Sequence, residues 1–309
     1  MQYDPRNRTS DCDPTLTDNQ VLEFCRQGYL MLQGVVLAEI NQRTCDYLDG
    51  KIEISPLRIP DHMVLADLER IRNTHEPSSI LLEQWFIDQV ILNSQAVGAI
   101  RSILGKNVGL PVLMSNHRVD CPQPAQGWHH DADSIFSPET NYLQVFYYPQ
   151  DTTVEMGPTE VLPGSHHHPT SREIDWCQGS LTTAPAGSIF LTCYPILHRR
   201  SASTATGLRH LLKYNYWRTV SPERDWIKDP AFDFHRTNYG GHGEARYVAH
   251  QFYWLCGKED QFRTIGGQSW PYSGSSHNAI GPSYGFDSQV GHSPDCRTQT
   301  LFKQLVNTS

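Results

Sequence analysis

His129 and Asp131 stand two positions apart in Gly127-Trp128-His129-His130-Asp131-Ala132-Asp133. In an extended strand, side chains at i and i+2 project to one face, so an imidazole and a carboxylate would be presented side by side. That is two-thirds of the 2-His-1-carboxylate triad that holds non-haem Fe(II) and leaves coordination positions open. A third ligand must come from elsewhere. His198 is the candidate, because it follows the strand-like Gly187–Cys193 run and a rolled sheet can bring distant strands together. By itself H-x-D also fits a surface hydrogen-bonded couple. Arg209, eleven residues after His198, meets a second need of iron chemistry. A 2-oxo acid that chelates the metal carries a distal carboxylate, and a guanidinium offers a fixed, always-charged fork where an ammonium is a point charge. Read alone, Arg209 would be a surface ion pair worth about 0–1 kcal/mol.

Other reactive side chains near these read more plainly. Asp133 shares the face of Asp131 but lies about 6.6–6.8 Å further along a strand, which suits a supporting or substrate contact. His130 points to the opposite face, as a packed or hydrogen-bonded histidine. His166-His167-His168 reads as a polar loop after the Pro163-Gly164 turn, since adjacent imidazoles cannot converge on one ion without strain. Half of Tyr142, Phe146, Tyr147 and Tyr148 should face a barrel interior. The eight cysteines contain no C-x-x-C and read as reduced, small apolar side chains.

The elements that must position these groups follow from local signals. Thr17-Asp18-Asn19-Gln20 fits a capping box, Leu16 and Val21 a hydrophobic staple, and Gly28 a helix stop. The pattern predicts a strand at Tyr29–Leu32, short strand and loop pieces at Val35–Ala38, a second helix over Ile40–Leu48, irregular chain over 55–80, and a long helix over Leu81–Leu104 ended by Gly105. From about 107 the texture becomes β-like: Pro111–Met114, Tyr142–Tyr148, Gly187–Cys193 and a run opened by Arg209 through Leu211–Trp217. Short strands separated by turn residues suggest a sandwich, jelly roll or barrel. A further helix is expected at Ala245–Leu255, and a long surface loop over 266–295.

The chain has 309 residues with 38% hydrophobic and 19% charged side chains, enough apolar material for a folded core. Its 22 Gly and 20 Pro favour a turn-rich β protein, and its 15 His favour metal or acid–base chemistry. Net charge is −8 with no basic block, which disfavours a nucleic-acid role. No apolar stretch nears the roughly 20 residues that span a bilayer. The first residues show no secretory leader, so the cytosol is the expected compartment and the Asn7 and Asn307 sequons are expected to be idle.

Several motifs together carry a resemblance. Leu16-Thr17 through Gln20, Phe24 and Gly28-Tyr29-Leu30; Trp128-His129-His130-Asp131; Met156-Gly157-Pro158 through Pro163-Gly164-Ser165-His166; and Pro185-Ala186-Gly187-Ser188-Ile189 are similar to stretches of the phytanoyl-CoA dioxygenase family of Fe(II)/2-oxoglutarate-dependent oxygenases. The resemblance spans roughly residues 16–220. It implies a double-stranded β-helix (jelly-roll, cupin-like) core with flanking helices. It implies His129, Asp131 and His198 as iron ligands, Arg209 on the 5-carboxylate of 2-oxoglutarate, and Asn116 at a position that lines the co-substrate pocket in some relatives. Two positions depart from the family pattern. Ser188 stands where an Asp is usual, and the segment after the distal His, Arg199-Arg200-Ser201-Ala202-Ser203, lacks the common Asn-x-Ser.

The expectation is a single oxygenase domain over 1–309, with helical and strand support over 16–105, a core over about 106–220, and a loop-rich extension over 221–309. It would use O2 to oxidise an unactivated C–H bond of a small, natural-product-like molecule, most simply by hydroxylation, with desaturation or cyclisation as variants, releasing succinate and CO2. Two other readings use the same residues: a zinc hydrolase, against which stands the lack of H-x-H-x-D-H and H-E-x-x-H, and a jelly-roll binding module without catalysis.

Overall fold

A computed structural model describes residues 2–4, 8–50, 74–75, 78–131, 134–167, 178–225 and 242–257. Among them the strands are β1 (Gln2–Asp4), β2 (Thr9–Asp11), β3 (Tyr29–Leu32), β4 (Thr74–His75), β5 (Val108–Gly109), β6 (Ser115–His117), β7 (Val119–Gln123), β8 (Tyr142–Tyr148), β9 (Thr159–Val161), β10 (Ser180–Leu181), β11 (Ser188–Cys193), β12 (His198–Arg200), β13 (Ser203–Arg209) and β14 (Leu212–Trp217). The helices of more than one turn are α1 (Asp18–Gln27), α2 (Ala38–Gly50), α3 (Ser94–Leu104) and α4 (His242–Leu255).

Helix α1 starts and stops where local chemistry directs. The Thr17 hydroxyl accepts from the Gln20 N–H, and the Gln20 side chain accepts from the Thr17 N–H at 2.9 Å. Gly28 ends the helix at φ 82°, a conformation that costs a residue with a Cβ but not glycine. Its Val21, Leu22, Phe24 and Cys25 are all buried, as the apolar spacing predicts.

The largest sheet runs β1-β2-β5-β14-β8-β11-β3, with β6 also on β14 and β4 on β6. Two smaller sheets, β10-β9-β12 and β13-β7, complete the β structure. Strand pairing is antiparallel, as between β8 and its neighbours β11 and β14. Period-two alternation assigns the two faces of the large sheet. Leu143, Val145 and Tyr147 of β8, Ile189 and Leu191 of β11, and Leu212, Tyr214 and Tyr216 of β14 pack in one core with the apolar residues of α1, α3 and α4. The alternate residues Phe146, Tyr148 and Phe190 meet Val161 of β9 in a second core. A fully buried side chain such as Phe190 contributes on the order of 2–3 kcal/mol to this packing. The result is the expected mainly β jelly roll with helices on one side, and the two sheet layers enclose the site.

Several local expectations are corrected. The long helix over Leu81–Leu104 is broken. A 3-10 turn (Ser78–Leu82) and a wound segment (Gln84–Ile91) precede α3, which starts afresh because the Asn93 side chain accepts from the N–H groups of Gln95 and Ala96. No strand forms at Pro111–Met114. Pro111 has no N–H to give a ladder, Val112 and Leu113 are exposed, and the strand begins instead at Ser115. Arg209 closes β13 rather than opening the next strand, with His210 and Leu211 turning into β14. His166 and His167 lie in the expected turn after Pro163-Gly164 but are buried there, with rings 3.8 Å apart and His166 bonded to Gln251 of α4. His168, Asp133, Asn7 and Asn307, and the stretches 55–73 and 266–295, lie outside the described residues. No helix among the described residues is long and apolar enough to cross a membrane.

Candidate active site

The two histidines meet through the backbone. His129 and His198 form an isolated antiparallel bridge, each N–H donating to the other carbonyl at 3.0 Å. Directly opposed residues of such a pair bring their side chains together, and the two rings lie with centroids 4.6 Å apart. Among the described residues, His129 and Asp131 thus sit in a segment joined to β12 by this isolated bridge and by the Gln126 N–H to the Arg200 carbonyl, not in the full strand that the spacing suggested. Their side chains still face one way. His130 points away, bonded at 2.7 Å to the Pro195 carbonyl and packed edge-on against Phe136. One ligand atom from each of His129, Asp131 and His198 lies within 4.8 Å of the others.

β12, which carries His198, is fixed by charge as well as by its ladder. Arg199 opposes Glu160 of β9 in register and pairs with it at 2.7 Å, both buried, with the guanidinium over the Trp128 ring at 4.6 Å. A buried ion pair is tolerable only with such close compensation.

Hydrogen bonding sets which imidazole nitrogen is available. His129 Nδ1 is 2.9 Å from the Gly127 carbonyl and His198 Nδ1 is 3.0 Å from the Ile196 carbonyl. A carbonyl only accepts, so both rings carry the proton on Nδ1 and leave the Nε2 lone pair for a metal, the arrangement usual for metal-bound histidine. Burial pushes the His198 pKa down to about 4, against the pull of Asp131, so the ring is neutral near pH 7. Burial acts to raise the Asp131 carboxyl, but His198, the Lys213 charge, and hydrogen bonds from Lys213 and Gln144 outweigh it and hold it well below the usual carboxylate range. Asp131 Oδ2 accepts from Gln144 Nε2 and from Lys213 Nζ, each at 2.5 Å, while Oδ1 lies 3.8 Å from His198 Nε2. One oxygen is therefore committed and the other faces the histidines. Two neutral imidazoles and one carboxylate oxygen, aimed at a common point, fit a divalent ion of the non-haem iron type.

The cluster opens into a cavity of about 280 Å3 whose wall also includes His117, Arg118, Phe146, Arg200, Arg209 and Leu211. Arg209 is 2% exposed. It donates through Nη1 to the carbonyl of Gly157, which sits at φ 67°, and its Nε has no hydrogen-bond partner. Burial and the nearby Arg200 lower its pKa to about 10, so it remains a cation at neutral pH. An orphaned, buried guanidinium donor on the cavity wall fits an incoming carboxylate. Asn116 is placed differently. It is fully buried with its amide 2.9 Å from His210 Nδ1 and its oxygen accepting from the Leu211 N–H, and it is not on the cavity wall, whereas its neighbour His117 is.

Lys213 and Gln144 were not anticipated as site residues. Their signal was present: each is a polar side chain inside an apolar strand run, on the same face as Phe146, and Lys213 Nζ lies 5.8 Å from the Phe146 ring centre.

A family model of phytanoyl-CoA dioxygenase (PhyH) matches residues 24–184. No curated protein matches this sequence. Among solved structures, EctD from S. alaskensis with 2-oxoglutarate and 5-hydroxyectoine is similar at 16% identity and TM-score 0.53, over 70% of this chain and 81% of that chain. HygX from Streptomyces hygroscopicus with nickel and 2-oxoglutarate is similar at 14% identity and TM-score 0.51, over 69% of this chain and 91% of that chain. At these identities the likeness is one of fold.

Proposed function

Since the chain belongs to the phytanoyl-CoA dioxygenase family, an enzyme family dependent on iron and 2-oxoglutarate, we propose that His129, Asp131 and His198 hold Fe(II) and that Arg209 holds the distal carboxylate of 2-oxoglutarate. One observation carries this reading: three ligand atoms from distant parts of the chain converge within 4.8 Å, in the same cavity as a buried arginine with an unpaired donor. The crystallised EctD and HygX, each with 2-oxoglutarate bound, support it by analogy of fold.

The chemistry that bound Fe(II) and 2-oxoglutarate supply is oxidation of a substrate C–H bond by O2, with release of succinate and CO2. The chain's own residues bind, orient and exclude. Gln144 and Lys213 occupy Asp131 Oδ2, leaving Oδ1 as the ligand oxygen. The Gly127 and Ile196 carbonyls hold the two imidazoles in the ligating tautomer. Arg209 orients the co-substrate from one end, which converts a bimolecular encounter into a positioned one. Phe146 and Leu211 supply apolar wall against which a small organic substrate excludes water. The substrate is a small molecule with an unactivated C–H, and hydroxylation is the default outcome.

Succinate formation from 2-oxoglutarate under O2 tests the reading. It should require Fe(II) and vanish in His198→Ala. Succinate release that persists in His198→Ala, or is driven equally well by Zn(II), would contradict it.

A further inference from the structure

The cavity wall carries more positive charge than its acids balance, in a chain whose net charge is −8. Two of its cations are accounted for: Lys213 pairs with Asp131, and Arg199 with Glu160. Arg200 and Arg209, the last residues of the consecutive strands β12 and β13, have no acidic partner among the described residues. Each gives one terminal nitrogen to a backbone carbonyl, Arg200 Nη2 to Pro124 at 2.9 Å and Arg209 Nη1 to Gly157. Each keeps a buried Nε with no partner at all. Carbonyls relieve the hydrogen-bonding deficit of a guanidinium but not its charge. Two guanidiniums on one cavity wall, each with a buried donor left unpaired, are costly unless an anion joins them. A carboxylate has about four lone-pair sites, enough to accept from both forks at once.

We propose that Arg200 and Arg209 together form one carboxylate receptor that closes on the distal acid group of the 2-oxo acid, so that Arg200 sets co-substrate affinity and selects dicarboxylic over monocarboxylic 2-oxo acids. This rests on the functional reading above and extends it to Arg200. Selectivity follows because a 2-oxo acid lacking the distal carboxylate would leave the buried Arg209 and the buried Nε of the half-buried Arg200 unpaired, a much larger penalty than a missing apolar contact.

The test is calorimetric titration of the Ni(II)-loaded protein, without turnover, using 2-oxoglutarate and 2-oxobutyrate as probes. Arg200→Leu should weaken 2-oxoglutarate binding by about tenfold or more, the loss of a charged hydrogen bond. It should leave Ni(II) affinity unchanged and shrink the preference for 2-oxoglutarate over 2-oxobutyrate. Arg200→Lys, which keeps the charge and loses the fork, should fall between. It also carries the test if the leucine variant melts early. Unchanged 2-oxoglutarate affinity in these variants, or an equal loss for both 2-oxo acids, overturns the proposal. Wild-type protein that binds Ni(II) but no 2-oxoglutarate would instead overturn the functional reading, and the receptor with it.

Discussion

Asp131 has two oxygens with different duties. Oδ2 is held by Gln144 and Lys213, and Oδ1 faces the imidazoles. Asp131→Ala should therefore remove Fe(II) binding, read by anaerobic titration, while the fold survives because the side chain is not part of either apolar core. Retained stoichiometric iron would contradict its role. Arg209→Ala should weaken 2-oxoglutarate by on the order of 3 kcal/mol, the scale for leaving a buried charge without its partner. Binding to the Ni(II)-loaded variant measures it, and wild-type affinity would reject the assignment. At this scale the residues with local signals were legible in the sequence. H-x-D places two donors on one side whether or not a strand forms, and His130 faces away as alternation requires. Lys213 was not legible as a partner of Asp131, because 82 residues separate them and only the rolled sheet makes them neighbours. The buried network around Asn116 and His210 was hidden for the same reason: its members come from β6, the β13–β14 turn and α2.

Elements differ in how directly they serve the site. Helix α1 packs on the far face of the large sheet from the histidines. Thr17→Ala removes its cap and should cost about 1 kcal/mol in urea unfolding, with iron affinity unaltered. β12 is different, since His198 is its first residue and the neighbouring Arg199–Glu160 pair ties it to β9. Glu160→Ala leaves Arg199 charged and buried, which should cost about 3–5 kcal/mol and weaken iron binding through displacement of His198. Equal effects of the two variants on iron affinity would contradict this division. Capping boxes and two-residue alternation act over a few residues, which is why α1 and β8 were readable. The break before α3 was not, because the pattern over Leu81–Leu104 stays apolar and only the Asn93 side chain, caught by two backbone N–H groups, restarts the helix. Arg209 was assigned to the wrong strand because nothing in its neighbourhood marks the tight turn at His210-Leu211.

Across the whole molecule, buried neutral histidines link stability to pH. Burial lowers His117 to about 3 and His130 and His198 to about 4, against about 6.5 for an unfolded histidine. Between those values the unfolded chain binds protons that the native chain refuses. Stability is then complete above about pH 6.5 and falls as pH drops toward 4. The melting temperature of chelator-treated protein should decline from pH 7 to pH 5, and His117→Gln should flatten that slope. A melting temperature that rises on acidification would contradict the burial of these rings. The central claim, that two imidazoles and one carboxylate converge on a metal beside Arg209, is tested most directly by anomalous diffraction from crystals grown with Ni(II) and 2-oxoglutarate. The predicted result is one metal peak bonded to His129, Asp131 and His198, with the distal carboxylate of 2-oxoglutarate on Arg209. A peak elsewhere, such as at His166 and His167, or a co-substrate turned away from Arg209, would contradict it.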